Sequence, residues 1–430
     1  MLFQNKSFLQ QNNYRALMTE VYRQDENTCL EGLIAYASLP PQALNHIQVL
    51  ATDLVKKIRA DRLKRGGLDA FLIQYDLSTQ EGIALMCLAE ALLRIPDNAT
   101  RDKLIKDKIT TVNWTVHAGQ SPSLFVNAAT WGLMLTGHVL KSEIEASSLY
   151  LTLKRFIERS SEPVIRAAIL SMMKILGKQF VMGRTIEEAL ERAEELETQG
   201  YRFSYDMLGE AAYTMKDAER YLEAYVEAIQ KIGKASQGVG VIRGPSISIK
   251  LSALYPRYEF SQRDDVLKYL VPRVLNLAEN AKQFDIALTI DAEETSRLDL
   301  SLDIMEHVFT SPTLKDWQGA GLAVQAYQKR AFYLLDYLAD LAKKHKKRFN
   351  VRLVKGAYWD AEIKSTQMLG LSNYPVFTRK AATDVSYLAC IKKILEARDV
   401  FYPQFATHNA YRSEERRVGK ECRSRWSPYH

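Results

Sequence analysis

The fold is decided by the stretch IALTIDAEETSRLDLSLDIMEHVFTSPTLKDWQGAGLAVQAYQKRAFYLLDYLADLAKKHKKRFNVRLVKG at residues 286–356. It contains three short apolar runs, at 286–292, 321–327 and 349–356, which are rich in β-branched residues and typical of buried strands. The segment between the second and third runs has apolar residues at helical spacing. Strands that alternate with helices of this length indicate a parallel sheet, in either a (β/α)8 barrel or a doubly wound fold.

The same alternation extends in both directions from this stretch. Further candidate strands lie at 202–208, 246–251 and 404–409, with helix-like segments between them. No GxGxxG follows a strand and no GxxxxGK[ST] occurs, so the usual dinucleotide fingerprint of the doubly wound fold is missing. The sequence therefore predicts an α/β fold, an incomplete (β/α)8 TIM-type barrel with about six strands, preceded by an all-α region.

Before residue 185 the chain reads as helical, and Gly and Pro are sparse there. Capping boxes are predicted at Ser78 with Glu81 and at Thr185 with Glu188, the second opening the helix that leads into the barrel. The predicted domains are an N-terminal helical arm (1–60), a helical α-domain (61–184), the barrel (185–410) and a tail (411–430).

Composition excludes several classes of function. The net charge of +7 is modest for 430 residues, and no basic stripe with interleaved aromatics occurs, so we expect no nucleic-acid partner. The four cysteines form no CxxC pair, which fits a reducing compartment, and no cluster has metal-ligand spacing. No apolar run is long enough to span a membrane, so we expect a cytoplasmic protein that at most touches the inner membrane face.

Polar groups recur at or near the ends of the six predicted strands, where a (β/α)8 barrel carries its chemistry. In chain order they are Glu210, Lys250, Asp291, Gln325, Arg352, Lys355, Thr407 and His408. The cations could hold a carboxylate, phosphates or a reduced flavin, and the acids could balance them. No GxSxG elbow or cysteine nucleophile accompanies them, which disfavours acyl transfer. This set suits an anionic cofactor, but the pattern leaves open which one.

Ordinary structural roles are also compatible with part of this set. Asp291, which follows an apolar run, could cap a helix, and His408 could be a hydrogen-bonded core histidine. Lys250 lies between Ile249 and Leu251, and a lysine in an apolar strand is costly unless it is paired, which favours a site role.

Several long segments resemble the proline dehydrogenase family, in the form found in bifunctional proline utilization A enzymes. They are SYDMLGEAA, SISIKLSALYPRYE, LTIDAEETSRLDLSLDI, VRLVKGAYWDAEIK and YPQFATHNA in the barrel, and YDLSTQEGIALMCLAEALLRIPD and FVNAATWGLMLTG before it. The resemblance implies non-covalent FAD, oxidation of L-proline to 1-pyrroline-5-carboxylate, and transfer of the electrons to a membrane quinone.

The resemblance also implies roles for single residues. Lys250 matches a lysine that holds the substrate carboxylate, Asp291 an active-site aspartate, and Arg352 an arginine beside the reactive edge of the flavin. Leu353 matches an apolar wall of the proline pocket, and Glu210 a glutamate that helps to gate the site. The other flavin contacts implied are Ile290, Gln325, Val354, Lys355, Gly356, Ala357, Tyr358, Trp359, Thr378, Lys380, Thr383, Thr407 and His408.

Two departures from the family pattern carry expectations of their own. The chain begins at the arm, without the DNA-binding module of some members, so we expect no repressor function. Residues 411–430 do not resemble the family, so we expect the last two strands and the final helix to be missing and the activity to be impaired. The alternative is a non-catalytic fragment or helical interaction protein with a degenerate barrel, and the oligomeric state is left open.

Overall fold

A computed structural model describes residues 13–62, 181–209 and 211–407. The chain divides into two compact units, one formed by Met1–Leu54 with Ala193–His430 and the other by Val55–Arg192. Most of the predicted α-domain, including the capping box predicted at Ser78, lies outside the described residues. In the part that the structure describes, no helix is long and apolar enough to cross a membrane.

The first unit contains a six-stranded parallel sheet whose strands follow one another in chain order. The strands are β1 (Ser204–Asp206), β2 (Ser246–Ile249), β3 (Ala287–Ile290), β4 (Ala320–Gln325), β5 (Phe349–Val354) and β6 (Phe401–Phe405). Every residue of β2, β3 and β4 is buried, as expected for a parallel sheet covered on both faces. The predicted barrel architecture with about six strands is therefore confirmed.

Helices precede the sheet and connect its strands. They are α1 (Asn13–Glu20), α2 (Glu26–Ala37), α3 (Pro41–Arg62), α4 (Ile186–Thr198), α5 (Met215–Ala235), α6 (Arg263–Gln283), α7 (Leu298–Phe309), α8 (Ala331–His345), α9 (Trp359–Met368) and α10 (Lys380–Glu396). Because the strands are parallel, their carboxyl ends meet at one edge, and the loops that follow them converge there.

The start of α4 contains one of the two hydrogen bonds of the predicted capping box. The backbone N–H of Glu188 donates to Thr185 Oγ1 at 3.3 Å, as a capping box requires. The Glu188 carboxylate accepts instead from the backbone N–H of Arg184 at 2.8 Å. The predicted helix start is right, while the reciprocal bond is shifted by one residue.

The sixth strand begins three residues earlier than predicted. It covers Phe401–Phe405, with Pro403 opposite Val351 of β5. Proline lacks the N–H that a second neighbour would need, so its presence obscured the strand in the sequence, although an edge strand tolerates it. As a result Thr407 lies two residues beyond the strand, and His408 lies outside the described residues.

The arm packs against the outer helices of the same unit. Leu33 of α2 lies in a buried cluster with Phe377, Ala382 and Ala389, the last two from α10. The guanidinium of Arg15 in α1 binds Asp303 at 3.1 Å. These contacts make residues 13–54 part of the compact unit that carries the barrel.

Candidate active site

Three predicted site residues meet at the carboxyl end of the sheet. Lys250 follows β2, Asp291 follows β3 and Arg352 lies on β5. Lys250 Nζ donates to Asp291 Oδ2 at 3.0 Å, and Arg352 donates to Asp291 Oδ1 at 3.2 Å. Lys250 also donates to Asp206 Oδ1 at the end of β1, at 2.9 Å. Two cations and two carboxylates thus form one continuous cluster, which we call the charge cluster.

The guanidinium of Arg352 on β5 also contacts β1 and β2, which lie at the other end of the strand order. It donates to Ser248 Oγ on β2 at 2.7 Å and to Ser204 Oγ on β1 at 2.5 Å. Sequence reasoning missed these two serines and Asp206. Strand alternation was the available signal, because Ser204 lies two residues before Asp206 and Ser248 two before Lys250, so each pair shares a face.

Burial dominates the electrostatics of Asp291. Loss of hydration raises the pKa of its carboxyl, Lys250 opposes this shift, Asp206 adds to it, and Arg352 opposes it. The net direction is upward from the ordinary value of 3.8. The ionised form of Asp291 therefore depends on the two neighbouring cations.

Gln325 joins two loops of the site through its amide. Its Nε2 donates to the carbonyl of Glu293 at 2.8 Å, and its Oε1 accepts from the backbone N–H of Ala357 at 3.2 Å. Gln325 comes from the end of β4, so it spans from the loop after β3 to the loop after β5. The predicted contact between Gln325 and the flavin stays a prediction. In this structure the amide of Gln325 forms hydrogen bonds with backbone groups of the two loops.

The loop after β5 is shaped by Gly356, whose φ of 137° is a conformation that other residues rarely adopt. A Cβ at this position would lie 2.5 Å from the ring of Tyr327. Beyond it, burial raises the pKa of Tyr358 to about 12. Trp359 is partly exposed and donates from Nε1 to the carbonyl of Phe377 at 3.0 Å.

Two further predicted cations share one carboxylate. Lys355 pairs with Asp384 of α10, and Lys380 reaches the other oxygen of the same carboxylate at 3.3 Å. Asp384 is buried and was not predicted, because an acid inside a helix gives no local sign of its partners. Thr378 lies in the preceding loop, and its N–H and hydroxyl donate to Glu26 of the arm at 2.8 and 2.7 Å.

The remaining predicted site residues differ in their exposure to solvent. Ile290 and Leu353 are fully buried, and alternation directs them to the sheet face opposite Arg352. Glu210 and His408 lie outside the described residues. Val354 and Thr407 are half-buried, Ala357 is exposed and Thr383 is buried. The roles predicted for all of these residues stay predictions.

Several side chains near the carboxyl ends of the strands have the chemistry that FAD requires. Arg352, Lys355 and Lys380 provide cationic groups near the carboxyl ends of the strands, and partly exposed Trp359 provides an aromatic surface. Cations and an aromatic face suit a cofactor with a pyrophosphate and planar rings. The residues present therefore fit FAD. Among the described residues, no group of three His, Cys, Asp or Glu side chains could hold a metal ion.

Family models match three stretches of the chain. The model described as "Proline dehydrogenase" matches residues 189–416, and "Proline utilization A proline dehydrogenase N-terminal domain" matches residues 12–59. A third, "DNA-binding domain of Proline dehydrogenase", matches residues 67–180, which lie outside the described residues. That description runs against the expectation of no nucleic-acid partner.

Curated relatives and solved structures that the chain resembles belong to the same family as these models. The chain is 52% identical to the bifunctional protein PutA of Escherichia coli over 409 residues, which cover 94% of this chain and 31% of that protein. It is 28% identical to proline dehydrogenase 1 of Bacillus subtilis, over 54% of this chain and 65% of that protein. A crystal structure of a Bradyrhizobium japonicum proline utilization A mutant matches with a TM-score of 0.67 and 43% identity, covering 92% of this chain and 39% of that one.

One of the solved structures that the chain resembles contains bound proline. A structure described as proline utilization A with proline bound in remote sites matches with a TM-score of 0.67 and 43% identity, covering 92% of this chain and 40% of that chain. The chain spans about a third of the length of the PutA relatives it matches.

Proposed function

The chain belongs to the proline dehydrogenase family, and we propose that its barrel oxidises L-proline to 1-pyrroline-5-carboxylate with bound FAD. The reaction is an oxidation of the ring C–N bond and is the first step in the catabolism of proline to glutamate. Bound FAD would supply the hydride acceptor. The protein itself has to hold the substrate, orient it and balance charge.

The charge cluster is the observation that carries this proposal. Lys250 and Arg352 supply two positive charges, Asp206 and Asp291 supply two negative ones, and all four lie within one hydrogen-bonded chain. Proline is a zwitterion, so a site with cations and carboxylates side by side suits both of its charged ends. In this proposal Lys250 holds the substrate carboxylate, and Asp291 fixes the position of Lys250 and Arg352.

The cofactor would be held by groups on β5, the loop after it and the start of α10. Arg352 would lie beside the reacting edge, Lys355 and Lys380 would bind phosphate oxygens, and Trp359 would stack on a ring. Asp384 pairs with both lysines, so it would hold them in place and offset part of their charge. The family resemblance implies a flavin contact for Lys355 and Trp359, a position beside the reactive edge for Arg352, and a contact to the phosphates or the adenosine end for Lys380.

A membrane quinone is proposed as the final electron acceptor, with the protein binding at most peripherally to the membrane face. This part of the proposal is supported by the resemblance to the bifunctional enzymes. A soluble quinone analogue added after anaerobic reduction by proline should restore the oxidised flavin spectrum. A reduced flavin that the analogue does not reoxidise would contradict a quinone acceptor.

The main test is spectroscopic. The purified chain is titrated with FAD, and L-proline is then added without oxygen. Loss of the oxidised flavin absorbance with L-proline, and none with D-proline, is the expected result. Flavin binding without any bleaching by L-proline would refute the activity for this chain.

DNA binding is a second candidate, favoured by the description of the family model that matches residues 67–180. The absence of a basic stripe in the sequence predicts the opposite. A gel shift with a salt titration decides between the two. Binding to DNA should weaken steeply as salt rises, whereas a non-binding chain shows no shift even at low salt.

A further inference from the structure

A buried carboxylate that the proposed reaction does not use lies on the first turns of α9. Glu362 is 7% exposed, and its two oxygens accept from the backbone N–H and the hydroxyl of Thr295, both at 2.7 Å. Thr295 itself is 1% exposed. A buried carboxylate is costly unless it is hydrogen-bonded, so this paired contact fixes the geometry of both residues.

The contact connects two loops that carry site residues. Thr295 lies four residues after Asp291, in the loop that follows β3. The backbone N–H of Glu362 donates to the carbonyl of Tyr358 at 3.0 Å, at the end of the loop that follows β5. Gln325 joins the same two loops closer to the sheet. The loop after β3 is thus attached to the loop after β5 at two levels.

The other side of Thr295 is also held. Arg330 donates to the Thr295 carbonyl at 2.5 Å and to Asp299 at 2.7 Å. Its guanidinium lies 4.2 Å from the ring centroid of Tyr22 in the arm segment between α1 and α2, and the Tyr22 hydroxyl lies 3.3 Å from Thr295 Oγ1. Thr295 therefore contacts α9, the start of α8 and the arm at once.

These contacts bear on Asp291, because few residues separate it from Thr295. If the loop after β3 moves, the carboxylate of Asp291 moves relative to Lys250 and Arg352. A displacement of about 1 Å is enough to reduce an enzymatic rate by up to about a hundredfold. A rigid second attachment point four residues away limits such displacement.

We infer that Glu362 is a positioning residue, which clamps the loop after β3 through Thr295 and so keeps Asp291 in register with Lys250 and Arg352. The effect on catalysis rests on the proposed function. The clamp itself is a property of the fold and can be measured without substrate. Glu362 contacts neither Lys250 nor Arg352 and acts through Thr295.

The test uses Glu362→Gln, with Asp360→Asn as the matched control. Glutamine has the same shape and can still bond Thr295, with its carbonyl oxygen accepting from the backbone N–H and its NH2 donating to the hydroxyl oxygen, but the negative charge that strengthens both bonds is lost. Asp360 lies on the same turn of α9, is exposed, and its change removes the same charge. Both variants are loaded with FAD and compared with the unaltered chain by hydrogen–deuterium exchange and by anaerobic reduction with L-proline.

In Glu362→Gln we expect the amides of residues 291–297 to exchange about tenfold faster. The rate of flavin reduction at saturating proline should fall about tenfold, while the dissociation constant for FAD stays within about twofold. Asp360→Asn should behave like the unaltered chain in all three measurements. Equal exchange and equal reduction rates in the two variants would overturn the inference.

A second pair of variants covers the case in which Glu362→Gln does not fold. Thr295→Val removes the hydroxyl but keeps the shape, and should speed exchange in the same loop. Thr295→Ser keeps both donors and should restore slow exchange. If the unaltered chain shows no bleaching by proline, the proposed function fails, and the exchange measurements still decide whether the clamp exists.

Discussion

Replacing Lys250 by methionine tests the charge cluster most directly. The change removes the hydrogen bonds that Lys250 Nζ donates to Asp206 at 2.9 Å and to Asp291 at 3.0 Å. The Lys250 and Asp291 side chains are only 23% and 14% exposed, so solvent screens their interaction weakly. After the change Asp291 keeps Arg352 as its cation, and its pKa should rise further from the ordinary value.

The magnitude follows from the chemistry of the lost contact. A charge-assisted hydrogen bond to the substrate carboxylate contributes about 1.5–3 kcal/mol, and partial compensation by Arg352 reduces the lower limit to about 1 kcal/mol. The dissociation constant for proline should therefore rise by about 5- to 150-fold. FAD content should hardly change, because Lys250 is not among the expected flavin contacts.

Anaerobic stopped-flow reduction at increasing proline concentration gives the apparent dissociation constant, and the flavin absorbance gives the FAD content. Lys344→Met is the control, because this lysine is 59% exposed and forms an ion pair with Asp340, which lies within the same helix α8 and far from the charge cluster in sequence. That change should alter stability little, because solvent screens the pair, and should leave proline affinity unaltered. Unchanged proline affinity in Lys250→Met, with normal FAD content, would refute the role assigned to Lys250.

Three further changes test other parts of the structure. Gly356→Ala should lower the free energy of unfolding by about 2–5 kcal/mol, because positive φ and a ring clash add together, whereas Gly370→Ala, with positive φ but open space, should cost about 1–2 kcal/mol. If urea titrations show the same loss of unfolding free energy in both variants, the clash with the Tyr327 ring does not contribute. Glu26→Gln should cost about 1–2 kcal/mol by loosening the loop before α10, while Glu31→Gln on the exposed side of α2 should change the urea midpoint little. The folded state raises the pKa of Asp291, so it favours the protonated form, and stability without FAD should fall, relative to Asp291→Asn, as pH rises from 3.8 through the raised value. Parallel pH profiles of the two proteins would contradict that shift.

The architecture could be predicted because local sequence patterns indicate most of its strands and helices. The central strands show as short apolar runs, and the helices between them show apolar residues at helical spacing. The strand that was misplaced is the one that contains Pro403, where the local signal was against a strand. Its position is set by pairing with β5, which sequence spacing does not report.

The charge cluster was predictable in part. Lys250, Asp291 and Arg352 stand out because charged residues at the ends of apolar strands are costly without partners. Ser204 and Ser248 do not stand out, since serine is common and tolerated everywhere. Alternation places each of them on the same face as Asp206 or Lys250, but their role depends on the contact with Arg352 of β5, which sequence spacing does not report.

The contact between the arm and the loop before α10 could not be predicted from the sequence. Glu26 and Thr378 are separated by 352 positions, and nothing in either neighbourhood points to the other. Thr378 matches a predicted contact to the cofactor, yet its N–H and hydroxyl bind an arm carboxylate in this structure. The arm therefore has a physical connection to the loop that precedes α10, which a resemblance based on separate motifs does not show.

The environment of Arg352 explains why an arginine, and not a lysine, suits this position of β5. Its guanidinium donates to Asp291 at 3.2 Å, to Ser248 at 2.7 Å and to Ser204 at 2.5 Å, so it contacts groups on or directly after three other strands at once. A lysine ammonium is a single compact centre and cannot present a planar fork to three separated acceptors. Because these acceptors fix the plane of the guanidinium, its charge is held in one orientation before any ligand arrives. Such preorganised charge stabilises a reacting centre better than a mobile one, since no reorganisation is needed during the reaction.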